Sequence, residues 1–333
     1  MTKENKDLLM KLLQQYKALG ISDQIDFDKL YLYSIITHST AIEGSTVTEV
    51  EAQLLFDEGI TSSKRTMLEQ QMNLDLKVAY DYGREWIKQH EPITVDWLVL
   101  LASKVMARTG GKSYLAYQKV PARLAAFCEE LNRRRKAIDP ADVAAVYDLS
   151  FWAHFELVTI HPWADGNGRT CRLLMNLLQW EFDVLPTKVL KEDKAEYIQA
   201  LIDTRESKDL NVFLNCMARH HCQHLQNDID QFITSVASEM VDKQDLKQKI
   251  VDKWSIKPSL AEKLVDILEF VANRSATKGD ACQSKKDLIT TEEIVSHFGF
   301  KPTTAKRYLR QLTEFGYLEA HGGNKNRTYS MKS

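Results

Sequence analysis

Apolar residues recur every three or four positions along most of this chain, the spacing of helices that bury one face. Glycine and proline, which interrupt helices, number only 13 and 7. The pattern predicts helices over residues 28–42, 48–57, 66–90, 169–182, 193–205 and 209–235. Another should be capped by Asp139, start at Pro140, and bury the face that contains Phe151 and His154. We therefore expect a mainly α protein.

Residues 288–331 follow a different pattern. Thr290 and Glu293 form a capping box, the usual sign of a helix start. The pattern predicts two helices followed by two short strands, at 290–298, 303–315, 317–320 and 327–331. Gly322 and Gly323 would form the turn between the strands. This order predicts a C-terminal winged helix-turn-helix domain.

The predicted winged helix carries basic residues on its second helix and its wing. These are Lys306, Arg307, Arg310, Lys325 and Arg327. Residues 288–333 hold seven basic and four acidic side chains, for a net charge of +3. That modest charge leaves either DNA or another protein open as the partner.

A small, polar and charged stretch at Ser275–Lys286 is the best candidate for a linker. We therefore divide the chain into a first domain with its N-terminal helices (1–225), a helical connector and linker (226–286) and the winged helix (287–333).

Overall charge and composition exclude several classes of protein. The net charge of −2 over 333 residues gives the whole chain no preference for nucleic acid or anionic membranes. No apolar run approaches the ~18 residues of a membrane helix. The five cysteines are irregularly spaced, and the N-terminus lacks an apolar signal segment. We expect a cytoplasmic protein with no membrane partner and no disulfides.

The segment HPWADGNGRTCR, residues 161–172, combines groups suited to nucleotide chemistry. Its glycines allow consecutive backbone N–H groups to face one anion, and a predicted helix N-terminus follows directly. Arg169 and Arg172 share one face of that helix, where two guanidinium groups suit a polyphosphate. Asp165 can hold Mg²⁺ beside phosphates, and His161 can act as a general base. Together these groups indicate phosphoryl or nucleotidyl transfer from a nucleotide to a hydroxyl.

The same segment resembles the signature of the Fic family, His-x-Phe-x-(Asp/Glu)-Gly-Asn-Gly-Arg-x-x-Arg. It matches every fixed position except that Trp163 replaces the phenylalanine. The resemblance covers roughly residues 30 to 220. It implies a helical bundle with a small β-hairpin flap, and an adenylyltransferase that moves AMP from ATP to a Ser, Thr or Tyr hydroxyl of a protein.

The resemblance also implies a role for each residue of the segment. His161 would be the base that deprotonates the target, and Asp165 would hold Mg²⁺ between the α and β phosphates. Arg169 would neutralise the leaving phosphates and Arg172 would bind the γ phosphate. The phosphate cradle would be Gly166, Asn167 and Gly168.

The resemblance also implies a hairpin flap that docks the target at residues 112–121. Apolar and polar residues alternate there over a short stretch after Gly110 and Gly111. Its docking residues would be Lys112, Ser113, Tyr114, Leu115, Ala116 and Tyr117. From the sequence alone, an ordinary loop between helices stays open for this stretch.

Residues 39–44, STAIEG, resemble the inhibitory motif of Fic proteins, (Ser/Thr)-x-x-x-Glu-(Gly/Asn). Ser39 and Glu43 would lie on one helical face. The resemblance implies that Glu43 pairs with Arg172 and blocks the place of the γ phosphate. It also leaves open that Glu43 positions water to remove AMP from a modified target.

These expectations give an autoinhibited protein adenylyltransferase that uses Mg²⁺ and ATP on an unknown protein target, which could be the chain itself. The alternatives are a nucleotide-sensing DNA-binding regulator, or an enzyme that uses Glu43 both to add and to remove AMP. By family analogy the protein could also form a homodimer.

Overall fold

The structure is a computed structural model that describes residues 1–109, 120–276, 288–323 and 327–332. It separates into two compact units, Met1–Phe232 and Ile233–Ser333. The division at residues 225 and 286 that the sequence suggested stays a prediction.

Helices build the first unit throughout its described residues. They are α1 (Lys3–Ala18), α2 (Phe27–Ile42), α3 (Glu49–Asp57), α4 (Met67–Ile87), α5 (Val95–Val105), α6 (Val120–Ala137), α7 (Val143–Ile160), α8 (Asn167–Glu181), α9 (Lys194–Ser207) and α10 (Asn211–Trp254), whose bounds continue past Phe232. The mainly helical fold is thus confirmed.

Two helices, α7 and α8, form the centre of the first unit, and most of their side chains are buried. One side of the pair packs with α2, α4, α5 and α6, and the other with α1, α9 and α10. The loop between α7 and α8 is therefore held by two helices that cannot shift without disturbing the core. This loop contains the segment from His161 onward.

Helix α7 corrects two expectations. Its N-cap is Asp142, whose carboxylate accepts from the N–H of Ala145 at 3.0 Å, so the cap predicted at Asp139 is wrong. Asp139 instead accepts from the N–H of Ala141 at 2.9 Å in the preceding turn. Among the described residues, α7 is also long and apolar enough to cross a membrane, which the sequence analysis did not anticipate. Because 72% of it is buried inside the protein, it is typical of a core helix.

The second unit contains three helices and a small sheet in its described residues. Besides the end of α10, its elements are α11 (Pro258–Ala276), β1 (Ile289–Thr290), α12 (Thr291–Phe298), α13 (Pro302–Glu314), β2 (Leu318–His321) and β3 (Thr328–Met331). The strands are antiparallel in the order β1-β3-β2. The predicted capping box is present, since Thr290 Oγ1 accepts from the N–H of Glu293 and the Glu293 side chain accepts from the N–H of Thr290.

Candidate active site

His161 is held in a strained backbone conformation at the end of α7. It is the C-cap residue, with φ 53° and ψ 61°, a left-handed geometry that non-glycine residues adopt at a cost. The chain turns sharply there, which leaves the imidazole exposed at the mouth of the loop. Such strain is retained only where the surrounding structure fixes it, and it is frequent at active sites.

The side chain of Asn167 fixes the loop and the imidazole together. Its oxygen accepts from the N–H of Trp163 at 3.1 Å, and its nitrogen donates to the carbonyl of Trp163 at 2.7 Å. These two bonds set the orientation of the amide. The same nitrogen lies 3.2 Å from His161 Nε2, which must then be the acceptor. The lone pair of the neutral ring is therefore on Nε2, the form that a general base needs.

Gly166 lets α8 begin directly at the loop. It is the N-cap of α8, with φ 78°. A Cβ at this position would lie 2.8 Å from Met106 Cγ, so the position demands glycine for both conformation and space. The free N–H groups of the first turn of α8 lie beside His161, which makes this helix end suitable for phosphate.

Arg169 is a buried cation with unfilled hydrogen-bonding capacity. It is only 3% exposed, and its Nε and Nη1 have no partner among the described residues. Nη2 donates to the sulfur of Met106 at 2.9 Å, a weak acceptor, and lies 3.6 Å from Asp165 Oδ2. Burial lowers the pKa of the guanidinium below its usual value, which shows how poorly this charge is compensated. An anion such as a phosphate would satisfy the orphaned donors.

Arg172 lies one turn further along α8, and residues at the end of α2 accept hydrogen bonds from its guanidinium group. Its Nε donates to Ser39 Oγ at 2.9 Å, and Nη2 donates to the Ser39 carbonyl at 3.0 Å. Nη2 also forms an ion pair with Glu43 Oε1 at 2.6 Å. The side chain of Arg172 is 3% exposed, whereas that of Glu43 is 33% exposed. The carboxylate therefore covers the arginine from the solvent side.

Gly168 is the point where the segment 39–44 meets the start of α8. A Cβ there would lie 2.6 Å from Glu43 Oε1 and 2.9 Å from Arg172 Nη1. The Glu43 carboxylate thus reaches the backbone of the first turn of α8, where the N–H groups would receive phosphate.

The turn that carries Glu43 is anchored by Asn73 on α4, which the sequence analysis did not select. The Asn73 amide is fully buried, accepts from Thr40 Oγ1 at 3.0 Å and donates to Ser45 Oγ at 3.2 Å. Thr40 and Ser45 lie on either side of Glu43. Asn73 occupies the same helical face as Leu76 and Tyr80, and a lone amide in such an apolar row is the signal that could have identified it.

Asp75 is a second buried polar residue of α4 that sequence reasoning missed. Its carboxylate accepts from the backbone N–H of Arg108 at 2.7 Å and from Arg108 Nη1 at 2.9 Å. These bonds fix the turn after α5 that contains Met106, and so the sulfur that touches Arg169. Nothing local in the sequence links Asp75 to Arg108, since 33 residues separate them.

Asp165 can supply one carboxylate ligand to a metal ion. Its side chain is 69% exposed at the mouth of the loop, and one oxygen accepts from the N–H of Gly166 at 2.6 Å. The described residues contain no group of three or more potential metal ligands. One carboxylate is enough where phosphate oxygens and waters complete the coordination of Mg²⁺. The residues present thus fit a magnesium–nucleotide complex better than a metal held by protein alone.

The predicted flap residues Lys112 to Tyr117 lie outside the described residues. Of the other predicted site residues, the structure brings together His161, Asp165, Gly166, Asn167, Gly168, Arg169, Arg172, Ser39 and Glu43. Their roles stay predictions, but their grouping around the N-terminus of α8 is an observation.

Comparison with known proteins gives a consistent assignment. Residues 75–179 match the model of the Fic/DOC family. The chain is 27% identical over 224 residues to protein adenylyltransferase fic-1 of Caenorhabditis briggsae, covering 62% of this chain and 42% of that one. It is 28% identical over 211 residues to protein adenylyltransferase Fic of Nematostella vectensis, covering 60% and 48%. The chain thus spans less than half the length of these curated relatives.

Among solved structures, a Fic family protein from Desulfovibrio desulfuricans G20 superposes with a TM-score of 0.60 at 17% identity. The match covers 100% of this chain and 97% of that one, which establishes similarity of fold. The family match includes α7, most of α8 and every signature residue from His161 to Arg172. The resemblance drawn from the sequence is therefore confirmed: residues 75–179 match the Fic/DOC family.

Proposed function

We propose that this protein transfers AMP from ATP to a hydroxyl group of a protein, with release of pyrophosphate. The observation that carries the proposal is the buried Arg169 in the first turn of α8, whose Nε and Nη1 have no partner among the described residues. The same turn carries Asn167, whose side chain contacts His161. A polyphosphate bound there would bring its reacting phosphorus close to a base. The names of the adenylyltransferase relatives support the same activity.

In the proposed reaction His161 Nε2 takes the proton of the target hydroxyl, replacing the hydrogen bond from Asn167. The hydroxyl oxygen attacks the α phosphorus, and the bond from that phosphorus to the bridging oxygen breaks. The negative charge that develops on the leaving pyrophosphate is stabilised by Arg169 and by the N–H groups of α8. The products are a protein phosphodiester of AMP, pyrophosphate and one proton.

Asp165 is the residue that would hold Mg²⁺, with phosphate oxygens completing the coordination. When bound, the ion would offset phosphate charge. Arg172 would bind the γ phosphate from the far side. We propose that Glu43 inhibits the enzyme by occupying this arginine, because the ion pair and the phosphate compete for the same donors.

A sensor that only binds nucleotide is the competing function. It has no need of a base, whereas the Asn167 side chain is committed to orienting His161 and its loop. Retention of this arrangement favours turnover over sensing.

For the second unit we propose a winged helix-turn-helix domain. The support is the order of α12, a short turn at Gly299, α13 and the β2–β3 hairpin, with β1 added at the sheet edge. Residues 324–326, which include Lys325, lie outside the described residues. Winged helices contact DNA or other proteins.

The transferase proposal is tested by intact-protein mass spectrometry after incubation with Mg²⁺ and ATP. We expect Glu43→Gly, alone or with cell extract, to attach AMP to protein, and wild type to do so much less. Glu43→Gly combined with His161→Ala should attach none while still binding ATP by calorimetry. Absence of AMP on every protein, despite ATP binding by Glu43→Gly, would support the sensor instead.

A further inference from the structure

Tyr197 on α9 contacts the guanidinium group of Arg172. The tyrosine is buried, with 3% of its surface exposed. Among the described residues, the other acceptors of hydrogen bonds from Arg172 are Ser39 and Glu43, both at the end of α2. Tyr197 therefore holds Arg172 from an element that is separate from the segment 39–44.

His154 on α7 sets the direction of the hydrogen bonds at Tyr197. Tyr197 Oη lies 3.0 Å from His154 Nε2. Burial, with the nearby charge of Arg172 adding to it, lowers the pKa of His154 to about 3, so the imidazole is neutral. Burial also raises the pKa of Tyr197 to about 12, so the phenol keeps its proton at neutral pH. Because a guanidinium group only donates, Tyr197 Oη accepts from Arg172 and gives its own proton to Nε2.

Packing keeps the imidazole of His154 in place. The residue is fully buried, and its ring stacks on Phe213 of α10 with 5.2 Å between the ring centroids. Tyr197 meets the same ring edge-on, at 5.6 Å and 73°. A ring enclosed in this way cannot turn without disturbing the core. The hydroxyl of Tyr197 is therefore fixed by α7 and α10, and donating its proton makes its oxygen a stronger acceptor for Arg172.

We infer that Tyr197, held by His154, is a positioning residue that keeps Arg172 ready for the γ phosphate once Glu43 has been displaced. This rests on the function proposed above, in which Arg172 binds that phosphate. A guanidinium group that is free to move must be ordered when a phosphate binds, and the lost entropy weakens binding. The contact with Tyr197 removes most of that cost in advance. ADP has no γ phosphate, so its binding should not depend on Tyr197.

Isothermal titration of ATP and of ADP, each with Mg²⁺, tests this in the full chain carrying Glu43→Gly, which removes the competing carboxylate. Adding Tyr197→Phe should raise the Kd for ATP about tenfold, because Arg172 loses a hydrogen bond, and change the Kd for ADP by about twofold at most. Arg172→Lys in the same background should weaken ATP binding at least as much. Binding of ADP also reports whether each variant is folded.

The matched control is Tyr147→Phe. Tyr147 is a second buried tyrosine beside a buried histidine, with its hydroxyl 3.1 Å from His221 Nε2, but it donates to the carbonyl of Leu185. This variant should keep the preference for ATP over ADP. Equal loss of ATP affinity in Tyr147→Phe and Tyr197→Phe would make the role of Tyr197 merely structural and overturn the inference.

The remaining outcomes separate this inference from the proposed function. Unchanged ATP affinity in Tyr197→Phe, or an equal loss for ATP and ADP, would overturn the inference. If Arg172→Lys lost the preference for ATP in the same experiment, the role of Arg172 would stand without Tyr197. Equal affinities for ATP and ADP in Glu43→Gly itself would overturn both roles, but not AMP transfer, which mass spectrometry tests independently.

Discussion

Replacing Glu43 by glutamine isolates the charge of the proposed inhibitory contact. The two side chains have nearly the same shape, and glutamine can still accept from Arg172 Nη2 through its amide oxygen. Arg172 also keeps both bonds to Ser39, so the arginine should stay in place. What is lost is the ion pair at 2.6 Å that ATP must displace.

The size of the effect follows from the environment of the pair. Because glutamine keeps the hydrogen bond, the loss is the attraction between the charges, which ranges from about 1 kcal/mol in water to about 4 kcal/mol near a protein surface for charges about 4 Å apart. Glu43 is one-third exposed, so solvent screens the pair and the lower end of that range applies. If the Glu43–Arg172 contact is weakened by about 1.5 kcal/mol, ATP displaces it more easily and the apparent affinity for ATP rises roughly tenfold.

Isothermal titration with ATP and Mg²⁺ measures this directly. We expect Glu43→Gln to bind ATP about tenfold tighter than wild type. Adding Arg172→Lys should abolish the gain, because lysine cannot replace the bidentate guanidinium. An unchanged affinity in Glu43→Gln, with the fold intact by circular dichroism, would refute the idea that Glu43 and the γ phosphate compete for Arg172.

Three further predictions concern the loop and the core. Asn167→Ala removes the side chain that orients His161, so kcat for AMP transfer in the Glu43→Gly background should fall by about 10²-fold. An unchanged kcat would contradict a positioning role for Asn167. Gly166→Ala should abolish transfer and lower the free energy of unfolding in urea by at least about 1 kcal/mol, because φ is 78° and Met106 blocks the new methyl group. Wild-type stability and activity in this variant would show that neither the backbone conformation nor the space requires glycine. Burial lowers the pKa of His154 and of His221 to about 3, so below pH 6.5 the unfolded chain binds protons that the folded chain does not. Each histidine should therefore lower the free energy of unfolding by about 1 kcal/mol as the pH falls from 6.5 to 5.5. His221→Gln should reduce this loss, and an unfolding free energy that does not change over this pH range would disprove the prediction.

Local patterns were enough to predict the groups that lie near one another in the chain. The segment from His161 to Arg172 spans one turn and the start of one helix, so its spacing already placed both arginines on one face. The same applies to the capping box of Thr290 and Glu293, which depends on only four residues. The predicted helices agree with the structure at their centres and less well at their ends, whereas α1, α5 and α6 were not predicted.

Contacts between distant segments left no such pattern. Asp75 and Arg108, or Asn73 with Thr40 and Ser45, are joined only by the packing of α4 against its neighbours. Met106 is a plain apolar residue in the sequence, and only the fold places its sulfur on Arg169. These residues act through tertiary structure, so only a polar residue on an otherwise apolar face could have hinted at them.

Two errors have identifiable physical causes. Asp139 and Asp142 both precede the same apolar run, and proline after Asp139 favoured the wrong cap. The strand β1 has two residues and forms only by pairing with β3, far along the chain. No periodicity can be read over so short a stretch.

The central claim is that the bond broken lies between the α phosphorus and pyrophosphate. Glu43→Gly should be incubated with Mg²⁺ and ATP labelled on either the α or the γ phosphate, with the His161→Ala double variant in parallel. We expect label on protein from α-labelled ATP only, and none in the double variant. Label from γ-labelled ATP would show phosphoryl transfer instead of AMP transfer, and equal labelling without His161 would exclude this residue as the base.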